Sequence, residues 1–317
     1  MFEKLKSALK PYYFKAQKLL SSDIKLENLQ STLILNYHHI VPDSIVESNL
    51  LYGYSHSTSS FESQIEWLSA RFKNSLAFED KNSFVITFDD CSIYTIEQAL
   101  PILTKYNIQA YFFLVEDRIG KSIWIDDYLF WLSYVPNGSY RLFKRNYNIV
   151  DQKSRLELHH EIWREYQYAP NHQLILSEFD AQYSLSKLKS AHSIHYKRLM
   201  TLSFEDILNL KKLGHLVGFH SQTHEQLSKL NADELSKECE YSDSDIFNCN
   251  TFAVPFGSEN DYNDSVISAI KNLGYKSILL NHAVKAHDKV YGRLNLPDSN
   301  DKLEIEYKIW AYINAIS

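Results

Sequence analysis

Two adjacent carboxylates at the end of an apolar run are the first residues in this chain that suggest chemistry. Asp89 and Asp90 follow FVITF (84–88), which is typical of a buried strand. Neighbouring buried carboxylates repel each other and lose hydration unless a cation or a hydrogen-bond donor compensates. A divalent metal would bind one carboxylate and leave the other free as a base. The alternative is a solvated pair at the start of a loop, an interpretation that also suits Asp126 and Asp127.

A pair of histidines follows another apolar run. His220 and His224 lie in HSQTH, directly after HLVGF (215–219). Four residues of separation would bring both imidazoles to one side of a helical turn, where they would share a metal. Among 13 histidines, chance alone produces about half of one such pair, so the spacing is weak support by itself. A solvated or core-packed histidine pair is the alternative.

The third candidate feature is a rigid turn in FAVPFG (252–257). Pro255 restricts the backbone, and Gly257 permits a positive φ or a close approach. Such a turn would direct the backbone N–H of Phe256 toward a developing oxyanion. An ordinary connection between a strand and a loop is the alternative.

Short β-like runs alternate with longer helical patterns along most of the chain, which indicates a parallel sheet or barrel. In such folds, sites gather at the carboxyl ends of the strands. The predicted strands are 33–37, 84–88, 110–115, 215–219, 251–254 and 275–280. The predicted helices are 59–72, 93–105, 203–214, 232–246, 262–272 and 302–316.

Residues 120–200 interrupt this alternation. They are polar, rich in tyrosine and mostly helix-like, as in SYRLFKRNYNIV and KSRLELHHEIWREYQY. We interpret them as an insertion between two units of the core. The insertion either covers the site as a lid or partner surface, or decorates the fold away from it.

Composition excludes several classes of protein. The 317 residues include only 8 Gly and 7 Pro, which excludes collagen-like and linker-rich architectures. Aromatic residues make up 14% of the chain, too many for a disordered protein. A net charge of −6 gives no basic surface for nucleic acid. Three cysteines are too few for a disulfide framework and suit a reducing compartment.

The first 20 residues alternate five lysines with apolar side chains. They lack the apolar core of a secretory signal, and no stretch of the chain is long enough to span a membrane. We interpret residues 1–30 as a basic amphipathic segment ahead of a single catalytic domain over 31–317. Residues 1–20 either contact an anionic membrane face or pack as a helix on the protein body. We therefore expect a cytoplasmic protein, peripheral on the inner membrane face if the first alternative holds.

Together the motifs resemble the polysaccharide deacetylases of the NodB-homology type. TFDD (87–90), HSQTH about 130 residues later and the PFG turn occur in the family's order, and LNYHHI (35–40) resembles its early strand. The likeness covers nearly all of 31–297 apart from the insertion. It implies an α/β fold, a distorted and incomplete (β/α) barrel with a divalent metal at its top.

The resemblance also implies roles for individual residues. Asp89 matches the catalytic base, which takes a proton from a metal-activated water. Asp90, His220 and His224 match the metal ligands, and the Phe256 N–H matches the oxyanion donor. Zinc is the expected metal, with cobalt or nickel as alternatives, because nitrogen and oxygen ligands do not discriminate among them. Pro255, His38 and His39 are expected to face the substrate.

Three positions depart from the family pattern. Cys91 replaces the glycine that usually follows TFDD, and we expect its thiol to be packed rather than a ligand. Ala253 replaces the arginine that orients the catalytic aspartate in many members. Arg293 is the candidate substitute, with a surface ion pair as the alternative. The late histidine that supplies the general acid has no clean match, so His282 is the first candidate and His287 the second.

The expected function is removal of an N-acyl group, most simply acetyl, from an amino sugar of a bacterial surface-glycan precursor or polysaccharide. A hydrolase of this kind would belong to polysaccharide biosynthesis. The alternative is a non-catalytic carbohydrate-binding or scaffolding protein on the same fold. The missing acid motif and Ala253 favour the alternative, whereas the intact Asp89, Asp90, His220 and His224 favour catalysis.

Overall fold

The predicted alternation of strands and helices forms the framework of the molecule. The computed structural model describes residues 29–47, 55–166, 173–241 and 245–316. The elements of the first half are β1 (Thr32–Tyr37), β2 (His39–Val41), α1 (Asp43–Glu47), β3 (Ser55–Ser57), α2 (Thr58–Ser69), β4 (Lys73–Asn74), β5 (Ser83–Asp89), α3 (Ile93–Lys105) and β6 (Ala110–Leu114).

The insertion follows β6 and forms a subdomain with its own apolar core. Its elements are α4 (Trp124–Tyr134), β7 (Gly138–Leu142), β8 (Arg145–Ile149), α5 (Gln152–Tyr166), α6 (Gln173–Gln182), α7 (Leu185–Ala191) and α8 (Ser193–Leu199). Trp131, Phe130 and Leu132 of α4 are fully buried at the centre of this core.

The chain then returns to the framework. The remaining elements are α9 (Phe204–Lys212), β9 (Leu216–Phe219), α10 (Ala232–Cys239), β10 (Thr251–Ala253), α11 (Asp264–Asn272), β11 (Ser277–Leu280), β12 (Val290–Gly292) and α12 (Lys302–Ile316). Side chains cap these helices as the sequence suggests. Ser203, for example, forms a reciprocal capping box with Asp206 at the start of α9.

The main sheet is parallel and nearly closed. Its strands lie in the order β1-β5-β6-β9-β10-β11-β12, with β4 at the side of β5. Beyond β12, the Leu294 N–H donates to the Ile34 carbonyl and the Leu294 carbonyl accepts from the Asn36 N–H, at 2.8 and 2.9 Å. The last segment of the barrel therefore pairs with the first strand, and the predicted (β/α) barrel is confirmed.

The barrel is held together by strands that are buried along their full length. Every residue of β1, β5 and β6 is buried, including Phe84, Phe88 and Phe112. Parallel strands covered on both faces show such continuous apolar runs. Their carboxyl ends share one edge, which places the residues that follow β5, β9 and β10 at the same end of the barrel.

Two predictions of secondary structure were wrong. The helix predicted over 232–246 ends at Cys239. Further along the chain, the side chain of Asn248 contacts β9, where its Oδ1 accepts a hydrogen bond from the Val217 N–H at 2.6 Å. Within the insertion, the segment predicted as helix-like at 139–150 is the β7–β8 hairpin. Alternate burial of Tyr140 and Leu142 gives this segment a period of two, which favours a strand.

Residues 1–20, which were predicted to contact a membrane face or to pack as a helix, lie outside the described residues, which begin at 29. In the part of the chain that the structure describes, no helix is both long and apolar enough to cross a membrane. The cytoplasmic location and the membrane contact through residues 1–20 therefore stay predictions.

Candidate metal centre and active site

The two adjacent aspartates leave β5 in different directions because the backbone turns sharply after the strand. Asp89 is the last residue of β5, and Asp90 and Cys91 both adopt left-handed conformations, with φ of 64° and 52°. Such angles are unfavourable for residues with a side chain and persist where the surroundings impose them. The turn directs Asp90 toward two histidines and leaves Asp89 beside an arginine.

Asp90 lies with His220 and His224 in one buried cluster. The Nε2 atoms of His220 and His224 lie 3.6 and 3.4 Å from Asp90 Oδ1, and one ligand atom from each residue fits within 4.8 Å of the others. HSQTH forms an irregular turn rather than a helical one, with φ of 66° at Ser221 and 68° at His224. This turn, and not helical spacing, brings the two imidazoles together.

The donor atoms of this cluster fit a divalent metal. Asp90 Oδ1 is buried and has no hydrogen-bond partner among the described residues. His220 Nδ1 donates to the Ala253 carbonyl at 2.7 Å, which leaves the Nε2 lone pair directed at the cluster. Burial lowers the pKa of His220 despite the nearby Asp89 carboxylate, so the imidazole is in the neutral form that binds metals.

The charge of Asp90 also lacks compensation from the protein alone. Burial raises the pKa of Asp90 to about 6; the charges of His220 and His39 oppose this shift, and those of Asp126 and Asp89 add to it. A cation bound between Asp90 and the two histidines would reverse that shift.

Asp89 forms a buried bidentate ion pair with Arg293, the residue that follows β12. Arg293 Nη1 donates to Oδ1 at 2.7 Å and Nη2 donates to Oδ2 at 2.6 Å. The guanidinium is inaccessible to solvent, so the alternative of a surface ion pair is wrong. Burial disfavours the Asp89 carboxylate, but Arg293 and His220 outweigh it and hold its pKa below the ordinary value. Asp89 is therefore ionised at neutral pH.

Asn36 completes the support of Asp89 and was missed by the sequence reasoning. Its Nδ2 donates to Asp89 Oδ2 at 3.0 Å, and its Oδ1 accepts from Arg293 at 2.9 Å. Thr87 joins the same network through Asn36 Oδ1 at 3.0 Å. The available signal was a polar side chain inside the otherwise apolar strand LILNY.

The PFG turn lies against the metal cluster. The Phe256 ring contacts the His224 ring edge-on, with centroids 4.8 Å apart. Phe256 and Gly257 both have positive φ, and a Cβ on Gly257 would lie 2.7 Å from the Asn281 nitrogen. Glycine is therefore required at 257. Pro255 begins this turn, and its carbonyl accepts from the Gly257 N–H at 2.6 Å.

The two early histidines occupy different surroundings. The ring of His39 is buried, with Ser92 Oγ 2.9 Å from Nδ1 and Asp126 Oδ1 3.0 Å from Nε2. Burial lowers the pKa of His39, but Asp126 more than offsets this, and the net shift is upward. Asp126 belongs to α4, so the insertion reaches the site. Sequence reasoning treated Asp126 only as an example of a solvated acid.

His38 interacts electrostatically with Asp89. Burial lowers its pKa to about 3, and the charges of Asp89, Arg293 and His220 all act on it. His38 also lines a cavity of about 180 Å³ at this end of the barrel. The cavity is bounded by Asn36, Tyr37, His38, Ser55, His56, Asn295, Leu296 and Asp298.

The two histidines considered for the acid role, His282 and His287, differ in their contacts. His282 has the Gly257 carbonyl 2.9 Å from Nδ1 and the Tyr262 hydroxyl 3.4 Å from Nε2. His287 is exposed, with its Nδ1 beside the Lys285 carbonyl at 3.1 Å. His282 therefore supports the PFG turn.

Cys91 is packed in the core, as predicted. Its Sγ is fully buried and lies 3.3 Å from the Phe88 carbonyl and 3.5 Å from the Phe113 carbonyl. Burial and the two neighbouring aspartates raise the pKa of the thiol well above its usual range.

Comparison with known proteins places this geometry in context. Residues 78–174 match the family model for polysaccharide deacetylase, a range that contains Asp89 and Asp90 and ends before His220. The poly-beta-1,6-N-acetyl-D-glucosamine N-deacetylase of Staphylococcus aureus (strain N315) is 36% identical over 111 residues. The protein of the same name from Staphylococcus epidermidis is 32% identical over 111 residues. Each match covers 29% of this chain and 38% of the relative, so the chain matches well under half of their length.

Two solved structures share the fold over most of the chain. The Streptococcus pyogenes deacetylase PplD, in complex with acetate, has a TM-score of 0.53 and 16% sequence identity, and the match covers 85% of this chain and 93% of that one. IcaB from Ammonifex degensii has a TM-score of 0.50 and 14% identity, with 88% and 97% coverage. The motifs' resemblance to polysaccharide deacetylases is confirmed, since residues 78–174 match the family model and the barrel is shared with these solved structures.

Proposed function

We propose that this protein is a metal-dependent N-deacetylase acting on an N-acetylated amino-sugar glycan of the bacterial surface or its precursor. The proposal is carried by one observation: a cluster of three metal-binding side chains lies next to an ionised carboxylate. Asp90, His220 and His224 present three convergent donor atoms, and Asp89 lies beside them with its carboxylate 4.0 Å from His220 Nε2. The relatives named poly-beta-1,6-N-acetyl-D-glucosamine N-deacetylases support an N-acetylglucosamine substrate.

Asp90, His220 and His224 would hold the metal, and three ligands leave positions open for water and substrate. When bound, a divalent ion polarises the amide carbonyl and lowers the pKa of water at the site. Zinc is the expected ion, with cobalt and nickel as alternatives.

Asp89 is the proposed base. It accepts a proton from the attacking water, which adds to the amide carbon as the C–N bond breaks, so the products are acetate and a free amine. Arg293 and Asn36 hold both oxygens of the carboxylate, which fixes its direction before the substrate arrives. The Phe256 N–H is proposed to donate to the developing oxyanion from its turn beside His224.

The leaving amine needs a proton, and we place the general acid at His38 rather than His282. His38 interacts electrostatically with Asp89 and His220 and lines a cavity at the same end of the barrel. Its imidazole is neutral in the free protein, so it would first accept the proton that Asp89 removes from water and then pass it to the amine. His38→Gln should then abolish turnover, whereas His282→Gln should lower it only through the PFG turn.

The test is amine release from N-acetylglucosamine oligomers by protein stripped with a chelator and reloaded with zinc, cobalt or nickel. We expect no release without metal and release after reloading. Asp89→Asn should retain stoichiometric metal and lose turnover, whereas His220→Ala should lose the metal. Full activity in Asp89→Asn would overturn the assignment of the base. Metal binding without release from any acetylated or formylated amino sugar would support the alternative of a non-catalytic binding protein.

A further inference from the structure

The insertion meets the metal centre through an aromatic contact. Phe256 of the PFG turn packs against the apolar core of the insertion rather than that of the barrel. The centroid of its ring lies 4.8 Å from that of His224 and 5.9 Å from that of Trp163. Trp163 belongs to α5 of the insertion. An aromatic wall, defined here as Phe256 and Trp163, therefore begins at a metal ligand and extends away from it.

The position of Phe256 is imposed by the turn. Its φ of 60° is a conformation that bulky residues rarely adopt, and strain of this kind collects at ligand clamps and active sites. Gly257 follows with φ of 66° and is packed tightly against Asn281. The ring is only partly buried. The turn that is proposed to direct the Phe256 N–H at the oxyanion therefore also holds a partly exposed ring beside a metal ligand.

Trp163 is supported from behind. Its ring stacks on that of Trp124, with an interplanar angle of 14° and centroids 6.5 Å apart, and Trp124 is itself buried. His159 lies one helical turn earlier on α5, with its ring centroid 6.1 Å from that of Trp163. Trp163 is half-buried, so part of its indole surface remains open to solvent. The wall is therefore rigid before any ligand binds, which lowers the entropy lost on binding.

We propose that the aromatic wall is a stacking surface for a pyranose ring next to the sugar that is deacetylated. The C–H faces of a pyranose are apolar and slightly positive, and they suit the negative face of an aromatic ring. Phe256 packs on the ring of His224, and Trp163 packs on Phe256. Trp163 is therefore placed to contact a neighbouring sugar and not the reacting acetamide. The inference rests on the proposed function and sharpens it: Trp163, from the insertion, would contact the sugar next to the one that is deacetylated.

The decisive comparison is length dependence in wild type and Trp163→Ala. With N-acetylglucosamine oligomers of one to five units, wild type should show kcat/KM rising steeply from monomer to trimer. Trp163→Ala should retain its metal, should raise KM for the longer oligomers by about 10-fold, and should change KM for the monomer far less. Trp163→Phe should recover most of the loss. Trp310→Ala is the matched control, because Trp310 is a half-buried tryptophan on α12, which packs against α2.

A binding measurement separates this inference from the proposed function. In metal-loaded Asp89→Asn, affinity for the pentamer is measured with and without Trp163→Ala. A loss of affinity specific to Trp163 supports the aromatic wall even if wild type releases no amine, an outcome that would sink only the proposed function. Equal affinity in both variants, or equal KM for long oligomers in wild type and Trp163→Ala, would overturn the wall as a subsite.

Discussion

Arg293 is a buried guanidinium whose two nitrogens both donate to Asp89. Arg293→Lys keeps the charge but loses the planar fork, so Asp89 would no longer be held at two points. We expect kcat to fall by about 100-fold, as for a misplaced catalytic group, with metal content unchanged. Arg293→Ala should in addition destabilise the protein by about 3 to 5 kcal/mol, because it leaves Asp89 charged and buried.

Arg198→Lys supplies the control for Arg293. Arg198 pairs with Glu97 at 2.9 Å, but the Arg198 side chain is 39% exposed and that of Glu97 is 41% exposed. An exposed pair contributes about 1 kcal/mol or less, so neither kcat nor stability should change noticeably. A normal kcat in Arg293→Lys would show that Asp89 needs no bidentate partner.

The stability of the metal-free protein should depend on the ionisation of Asp90. Its pKa in the fold is about 6, above the ordinary value of 3.8, so the fold favours the protonated form and is destabilised as pH rises through 6. Asn resembles the protonated form at every pH. Metal-free Asp90→Asn should therefore be more stable than metal-free wild type at pH 8, by on the order of 2 kcal/mol. Urea unfolding should show this difference disappearing toward pH 4, and a difference independent of pH would contradict it.

At the scale of elements, α4 of the insertion is joined to the start of α3 through a buried polar link. Asp126 contacts His39, and His39 contacts Ser92, which caps α3 two residues after Asp90. Asp126→Asn should loosen the loop that carries Asp90 and weaken zinc affinity by about 10-fold, the scale of other supporting residues around metals. A chelator competition assay measures this affinity.

Asp127→Asn is the matched control for Asp126. Asp127 is the next residue of α4 but pairs with Lys189 at 3.0 Å inside the insertion. Its loss should change thermal stability without changing zinc affinity. If both variants weaken zinc equally, the effect of Asp126 is general destabilisation and not support of the loop.

The same elements show what the sequence could and could not predict. The strand pattern predicted that Asp89, Asp90 and His220 lie close together, because the carboxyl ends of parallel strands meet at one edge of a sheet. The turns were not predictable, since left-handed conformations at Asp90 and His224 leave no periodic signal. Arg293, which reaches Asp89 across 204 residues, became a candidate only through the family resemblance. Asp126 was not predictable as a partner, because it comes from a subdomain whose docking has no sequence pattern.

At the scale of the whole molecule, the metal cluster joins segments that are far apart in the chain. Asp90 follows β5 and the two histidines follow β9, with the entire insertion between them, so a bound ion would link both halves of the barrel. An ion that binds only the folded state stabilises it by about 2.7 kcal/mol at 100 times its dissociation constant. For a chain of 317 residues, that corresponds to a rise in Tm of about 4 °C.

We therefore expect chelator-treated protein to melt several degrees below protein reloaded with zinc, at one pH and protein concentration. His220→Ala should melt at the same temperature with and without zinc, because it lacks one of the three donors. Asp89→Asn should keep the zinc-dependent rise, because Asp89 is not among those donors. A rise of equal size in His220→Ala would mean that zinc stabilises the protein at another site, and the assignment of Asp90, His220 and His224 as the metal centre would fall.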